Sequence, residues 1–189
     1  MSIKDYIHIE DSVIPAGTIS KFLEYINQCS DDFEAGLIIG DKNPESVKKY
    51  RDVEIKNLSV DPFNFTQTHW FNLMEYAFRK VFTGYSKKIP HASFGIINTI
   101  QILKYSNNGH YKWHTDHSLE VPRSISAIFI LNNDYEGGEL SFKDQITGEQ
   151  FTIENKPGRL IMWPSNFIFP HSVAPVTKGM RYSIVLWAL

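Results

Sequence analysis

One cysteine in 189 residues, Cys29, leaves no partner for an intrachain disulfide, so the fold must rest on burial and hydrogen bonding. A lone thiol in a helical stretch reads as a packed side chain and suits a reducing compartment. Long blocks of lysine and arginine are also absent. With a formal net charge of −2, the basic footprint of a nucleic-acid binder is missing and no nucleic-acid partner is expected. No apolar run approaches the roughly 20 residues that span a bilayer, and the opening M-S-I-K-D-Y-I-H-I-E-D lacks the apolar core of a signal peptide. The expectation is a soluble, cytoplasmic protein with no membrane partner. There is no internal repeat, low-complexity tract or linker. What is present is 42% hydrophobic and 14% aromatic content, enough at this length for one well-buried domain and short for two. A single domain spanning 1–189 is therefore expected.

The two halves differ in periodicity. Residues 1–11 alternate weakly, as a short strand would. After Pro15, which suits a helix start, Ile19, Phe22, Leu23 and Ile26 repeat at helical spacing, and the helix is expected to end near Cys29. Residues 31–59 carry mixed signals: Gly36 and Gly40, a D-K-N-P turn at 41–44, then one strand in which Tyr50, Asp52 and Glu54 alternate against Arg51, Val53 and Ile55. Asp61-Pro62 has the form of a cap followed by proline at the first helical position. Trp70, Phe71, Met74, Ala77, Phe78 and Val81 then make an apolar stripe that Gly84 is placed to end.

From about residue 94, short apolar or alternating runs are separated by N-N-G, D-Y-E-G-G, T-G, K-P-G, P-S-N and T-K-G turns. Eight strands are predicted, at 96–105, 111–116, 123–131, 139–143, 150–154, 159–163, 171–176 and 181–189. This order fits a double-stranded β-helix, or jelly roll. The chain should thus be mainly β with α: a β core at 94–189 carrying the site, and supporting N-terminal helices at 1–93.

Chemistry concentrates in Y-S-N-N-G-H-Y-K-W-H-T-D, residues 105–116. In an extended chain His114 and Asp116 point the same way. An imidazole and a carboxylate make two thirds of the facial set that leaves open positions on Fe(II). His-x-Asp alone is a weak signal. It gains weight from a second match far downstream, His171 in F-P-H-S-V-A-P-V, followed by Arg181 in G-M-R-Y-S-I-V-L-W. Arg181 alternates in phase with Ser183, Val185 and Trp187, which puts it on the face of the last strand that also carries a tryptophan.

These motifs, with L-N-N-D-Y-E-G-G-E-L-S-F and P-G-R-L-I-M-W-P, resemble the Fe(II)- and 2-oxoglutarate-dependent dioxygenases, in the prolyl 4-hydroxylase-like branch. The likeness covers about 97–189. It implies iron bound by His114, Asp116 and His171, 2-oxoglutarate and O2 as cosubstrates, and ascorbate as a candidate reductant. Arg181 would hold the distal carboxylate of 2-oxoglutarate through its planar fork, with Tyr105 and Ser183 beside it. Tyr111, Trp113 and Trp187 would lie on the substrate side. The implied reaction hydroxylates a prolyl residue of a peptide or protein, releasing succinate and CO2. In one departure, a tyrosine that some relatives carry on the third core strand has Phe129 as its nearest counterpart here. Two other readings remain open from the residues: a hydroxylase of a free amino acid or small metabolite, and a zinc-dependent or non-catalytic cupin-like metal-binding jelly roll, which would have no need of Arg181.

Overall fold

The computed structural model describes residues 2–38 and 43–189. Its elements run β1 (His8–Glu10), α1 (Ala16–Gln28), β2 (Glu34–Ala35), α2 (Pro44–Tyr50), β3 (Arg51–Asp52), β4 (Glu54–Leu58), α3 (Phe65–Lys88), β5 (Ile97–Tyr105), β6 (His110–His114) and β7 (Ile125–Ile130). They continue with β8 (Glu136–Gly137), β9 (Leu140–Lys143), β10 (Gln150–Ile153), β11 (Leu160–Pro164), β12 (His171–Val173), β13 (Val176–Lys178) and β14 (Arg181–Ala188). All eight strands predicted after residue 94 are present. The stretch expected at 171–176 divides, because β12 joins one sheet while β13 pairs with the unforeseen β8.

The sheets form the double-stranded β-helix. The larger has the order β1-β11-β7-β14-β5-β4-β2 and the smaller β10-β9-β12-β6-β3. Alternation along the strands sends side chains into two different cores. On β14, Tyr182, Ile184 and Leu186 pack against the helices with Phe22, Trp70 and Phe78, whereas Val185 and Trp187 face the smaller sheet with Phe142 and Val173. The polar residues of this second phase, Arg181 and Ser183, are therefore carried into the space between the sheets.

Four local readings of the N-terminal half change. Asp61-Pro62 does not start α3. Asp61 turns the chain, its carboxylate accepting from the Phe63 amide, and Asn64 caps the helix by accepting from the Gln67 amide at 2.9 Å. Gly84 does not end it either: the helix runs on to Lys88 because Tyr85, fully buried, still packs on His8 of β1. Residues 44–50 are helical, with Asn43 as the cap, where only loop and strand were expected; the Asp41-Lys42 part of the D-K-N-P turn, with Gly40, lies outside the described residues. The single strand read around 50–55 is two. The chain passes from the smaller sheet at β3 to the larger at β4, with Val53 buried at the crossing.

The helical layer depends on the stripe of α3. Phe78→Ala, which empties a fully buried ring site, is expected to lower unfolding free energy by about 3–5 kcal/mol. Tyr76→Ala, at an exposed position of the same helix, should change it by no more than about 0.5 kcal/mol. Urea unfolding measures both.

Candidate metal centre and cosubstrate pocket

His114 ends β6, and His171 begins β12 directly opposite it across the antiparallel pairing. Asp116 lies just beyond the strand end. The three side chains offer ligand atoms that all fall within 4.8 Å of one another. His171 Nε2 is 3.4 Å from Asp116 Oδ2, and His114 Nε2 is 3.7 Å from Asp116 Oδ1. Their environment is enclosed: Asp116 and His171 are buried, and Trp163 and Phe142 pack on the His171 ring.

The tautomers follow from the backbone. His114 Nδ1 lies 2.8 Å from the Lys112 carbonyl and His171 Nδ1 lies 3.1 Å from that of Phe169. A carbonyl only accepts, so each Nδ1 carries the proton and each Nε2 presents a lone pair, the arrangement of metal-ligating histidines. Burial, reinforced by the neighbouring His171, pushes the His114 pKa down to about 3, so the ring is neutral at neutral pH. Burial alone would raise the Asp116 carboxyl; His171, His114 and a hydrogen bond from Ser126 outweigh it and hold the group below its ordinary value. Two imidazole lone pairs thus face a carboxylate at close range. A divalent cation is the species that makes all three contacts favourable, so the donor set fits Fe(II).

Asp116 is itself fixed. Ser126 Oγ donates to Oδ2 at 2.6 Å, and since its proton is used there, Ser165 Oγ at 2.7 Å is the donor to Ser126. Both hydroxyls are buried. His117, Nδ1 against the Arg123 carbonyl at 2.9 Å, closes the loop that follows.

Arg181 is fully buried. It pairs in register with Tyr105 on β5, its guanidinium carbon 5.2 Å from that ring, and its Nη1 donates to Ser183 Oγ at 2.7 Å. Nε and Nη2 have no partner, and among the described residues no carboxylate pairs with this charge. The Tyr135 hydroxyl and Asn155 Oδ1 are likewise buried and unsatisfied. Burial pushes the Tyr135 phenol up, and the adjacent Arg181, by its charge and as a nearby hydrogen-bonding group, partly offsets that push. Burial pushes the Tyr105 phenol up, and the charges of Arg181 and Arg51 partly offset it. Gly137 and Gly138, both at positive φ, make room for Arg181. A Cβ on Gly138 would come within 2.8 Å of Arg181 Cδ, and one on Gly137 would strike the Pro175 carbonyl.

A cavity of about 900 Å³ opens over His114 and Asp116, with Tyr111, Trp187, Arg51 and Arg123 in its wall. The Tyr111 ring stacks on His114 with centroids 3.4 Å apart. Trp113 does not line this cavity. It lines an adjoining groove with Pro175, which shares Tyr50 and Tyr111 with the cavity. Phe129 is not the inward counterpart of a cosubstrate tyrosine: it packs in the helix-side core, and Ile130 takes the inward position. Sequence reasoning had not singled out Ser126, Ser165, Arg123 or Tyr135. Ser126 was detectable as a hydroxyl in phase with Ile128 and Ile130. Tyr135 sits in a turn and left no periodic trace.

The site places two histidines and an aspartate in ligand range of one another on a jelly roll whose last strand carries a buried arginine. The model of the family described as "2OG-Fe(II) oxygenase superfamily" matches residues 100–189, from β5 to β14. Its members use Fe(II), 2-oxoglutarate and O2. The chain is 32% identical over 113 residues to a PKHD-type hydroxylase of Pseudomonas putida, covering 54% of this chain and 46% of the relative. It is 40% identical over 67 residues to human prolyl 3-hydroxylase 2, covering 34% of this chain and 9% of that one. The chain thus spans about half or less of the curated relatives it matches. In structure it superposes on a prolyl hydroxylase of Trichoplax adhaerens, solved with a hypoxia-inducible-factor peptide fragment, with a TM-score of 0.82 at 17% identity, covering 100% of this chain and 87% of that one. Against a Pseudomonas putida prolyl-4-hydroxylase the TM-score is 0.74 at 16% identity, covering 99% and 96%. The fold is that of the prolyl hydroxylases.

Ser126→Ala removes the hydrogen bond that orients Asp116 while leaving all three ligand atoms. Loss of such an outer partner is expected to weaken divalent-metal affinity about 10- to 100-fold. Titration of Fe(II) under anaerobic conditions, or of Co(II) followed by its visible spectrum, checks this. Unchanged affinity would mean that Ser126 has no part in positioning the carboxylate.

Proposed function

We propose that the chain acts as one domain, an Fe(II)- and 2-oxoglutarate-dependent dioxygenase that hydroxylates a prolyl residue of a peptide or protein. The observation that carries this reading is Arg181. A fully buried guanidinium with two unused donors and no counter-charge is costly to hold unless an anion completes it. A zinc hydrolase or a simple metal-binding jelly roll has no use for it, whereas a dicarboxylate chelating the metal through its keto-acid end would bring its far carboxylate there.

In this reading His114, Asp116 and His171 hold the iron on one face, with Ser126 and the two carbonyl-anchored rings keeping the ligands in place. Arg181 and Ser183 receive the distal carboxylate, with the Tyr135 hydroxyl beside it and Tyr105 along the path to the metal. Iron and 2-oxoglutarate, when bound, supply with oxygen the oxidising power to convert a C–H bond to C–OH, with succinate and CO2 as by-products. Trp163, Phe142 and the buried sheet interior keep water from that end of the site. The substrate enters by the cavity over Tyr111 and Trp187, whose aromatic faces suit a proline ring without an N–H donor. A peptide or protein substrate is supported by the relatives named as prolyl hydroxylases and by the cavity's breadth.

Arg181→Ala is expected to weaken 2-oxoglutarate by roughly 30-fold or more, the effect of truncating one partner of a desolvated charge pair, while Fe(II) affinity barely moves. Arg181→Lys should recover part of it, since the charge remains and the fork does not. His171→Ala should instead abolish Fe(II) binding and succinate release. Anaerobic loading followed by oxygen and a panel of proline-containing peptides, with mass spectrometry, tests the reaction. A 2-oxoglutarate-dependent gain of oxygen only on free metabolites would refute the prolyl substrate, and no succinate under any condition would refute the oxygenase.

A further inference from the structure

The wall of the large cavity holds a set of donors that nothing in the described residues satisfies. Arg51, from β3, gives one hydrogen bond, Nη1 to the Leu37 carbonyl at 2.6 Å, and lies 4.7 Å over the Tyr111 ring. Arg123, on the approach to β7, gives a long one, Nη1 to the Asp116 carbonyl at 3.4 Å, and lies 3.7 Å over the Trp187 ring. The Nε of each arginine is buried without a partner, and so is the indole Nε1 of Trp187. Neither guanidinium is within ion-pair distance of any carboxylate of the described residues. Two rim carboxylates, Glu34 and Glu120, border the cavity but are exposed and make no pair with them. Among the described residues, the only buried carboxylate beside the arginines is Asp116, committed to Ser126 and, in the proposed reading, to iron.

Two positive groups that line one cavity repel. Each lies over an aromatic ring, Arg51 over Tyr111 and Arg123 over Trp187, so a swing into solvent costs that contact. Three unsatisfied N–H donors with no acceptor, two of them on cations, describe the complement of a carboxylate, which accepts through both oxygens. A neutral carbonyl would use one donor and leave both charges unmatched.

We infer that the substrate of this site carries a carboxylate, bound between Arg51 and Arg123 with Trp187 Nε1 as a third donor, close to the carbon presented to the metal. This rests on the proposed oxygenase reading and narrows its substrate class to anionic prolyl substrates. The carboxylate is supplied either by an acidic side chain next to the target residue or by the terminal carboxylate of a short peptide or free amino acid. Arg123 and Arg51 thereby select substrate, while Arg181 serves the cosubstrate.

The test is calorimetric binding under anaerobic conditions to protein loaded with Fe(II) and 2-oxoglutarate, so that no turnover occurs. Blocked prolyl pentapeptides with glutamate beside the proline, on either side, are compared with their glutamine counterparts. A prolyl peptide with a free C-terminus is compared with its amide, and proline with prolinamide. At least one acid is expected to bind about tenfold or more tighter than its matched amide, and the pair that shows the gap identifies the source of the carboxylate. In Arg123→Gln and Arg51→Gln the ratio of acid to amide affinity should collapse toward one; Arg123→Lys should retain part of it. Equal affinities throughout, no saturable binding, or a gap that survives in the double glutamine variant overturns the inference. The same titrations on metal-free protein separate the two readings. An acid preference there, in a protein that takes up no iron, would sink the oxygenase and leave the carboxylate subsite standing.

Discussion

A fully buried arginine with no counter-ion among the described residues is the constraint around which the β core is arranged. Burying a guanidinium is expensive, and every neighbour of Arg181 either lowers that cost or makes room for it. Ser183 takes one donor, the Tyr105 ring lies beside the positive carbon, and two adjacent glycines at positive φ leave the volume where side chains would collide. The last strand delivers the charge to the interior by simple alternation, since Tyr182 and Ile184 of the opposite phase are needed to seat the helices. Position 181 cannot turn outward without turning Val185 and Trp187 with it.

The metal triad depends on the smaller sheet in a comparable way. The pairing of β6 with β12 sets His114 opposite His171, while Ser126 on β7 of the larger sheet and Ser165, just past the end of β11, hold Asp116. The centre is thus gripped from both sheets, and its geometry is a property of their packing distance. The helices matter through the larger sheet: α1 and α3 pack on it from behind and so support the strand that carries Ser126.

How much of this was legible in the sequence differs by region. The eight core strands were readable because turn residues punctuate period-two runs, and the triad because its residues sit in dense motifs. Arg181 could be assigned to the inner face from its phase with Trp187, and the structure places it there. In the N-terminal half the local signals competed. Asp61-Pro62 has the form of a cap, but Asn64 was better placed to start a helix, and Gly84 was overridden by the burial of Tyr85 against β1. The division of 50–55 between two sheets has no local signature, since which sheet a strand joins is decided by long-range pairing. Tyr135 and Arg123 lie in irregular segments, where periodicity carries no information. Their positions emerge only from the folded chain, through an unsatisfied hydroxyl in one case and an unpaired, stacked guanidinium in the other. Trp113 stands in the densest motif, and its side chain lines a groove that adjoins the cavity at Tyr50 and Tyr111.

The central claim is that the buried charge of Arg181 exists to receive the second carboxylate of a keto-diacid. The most direct measurement compares, by calorimetry on the Mn(II)-loaded protein, the binding of 2-oxoglutarate with that of 2-oxopentanoate, which keeps the chelating end and replaces the distal carboxylate by a methyl group. The account expects the dicarboxylate to bind at least about 30-fold tighter, the worth of a buried charge pair. Equal affinity for the two compounds would contradict it, because the guanidinium would then be buried for some other purpose.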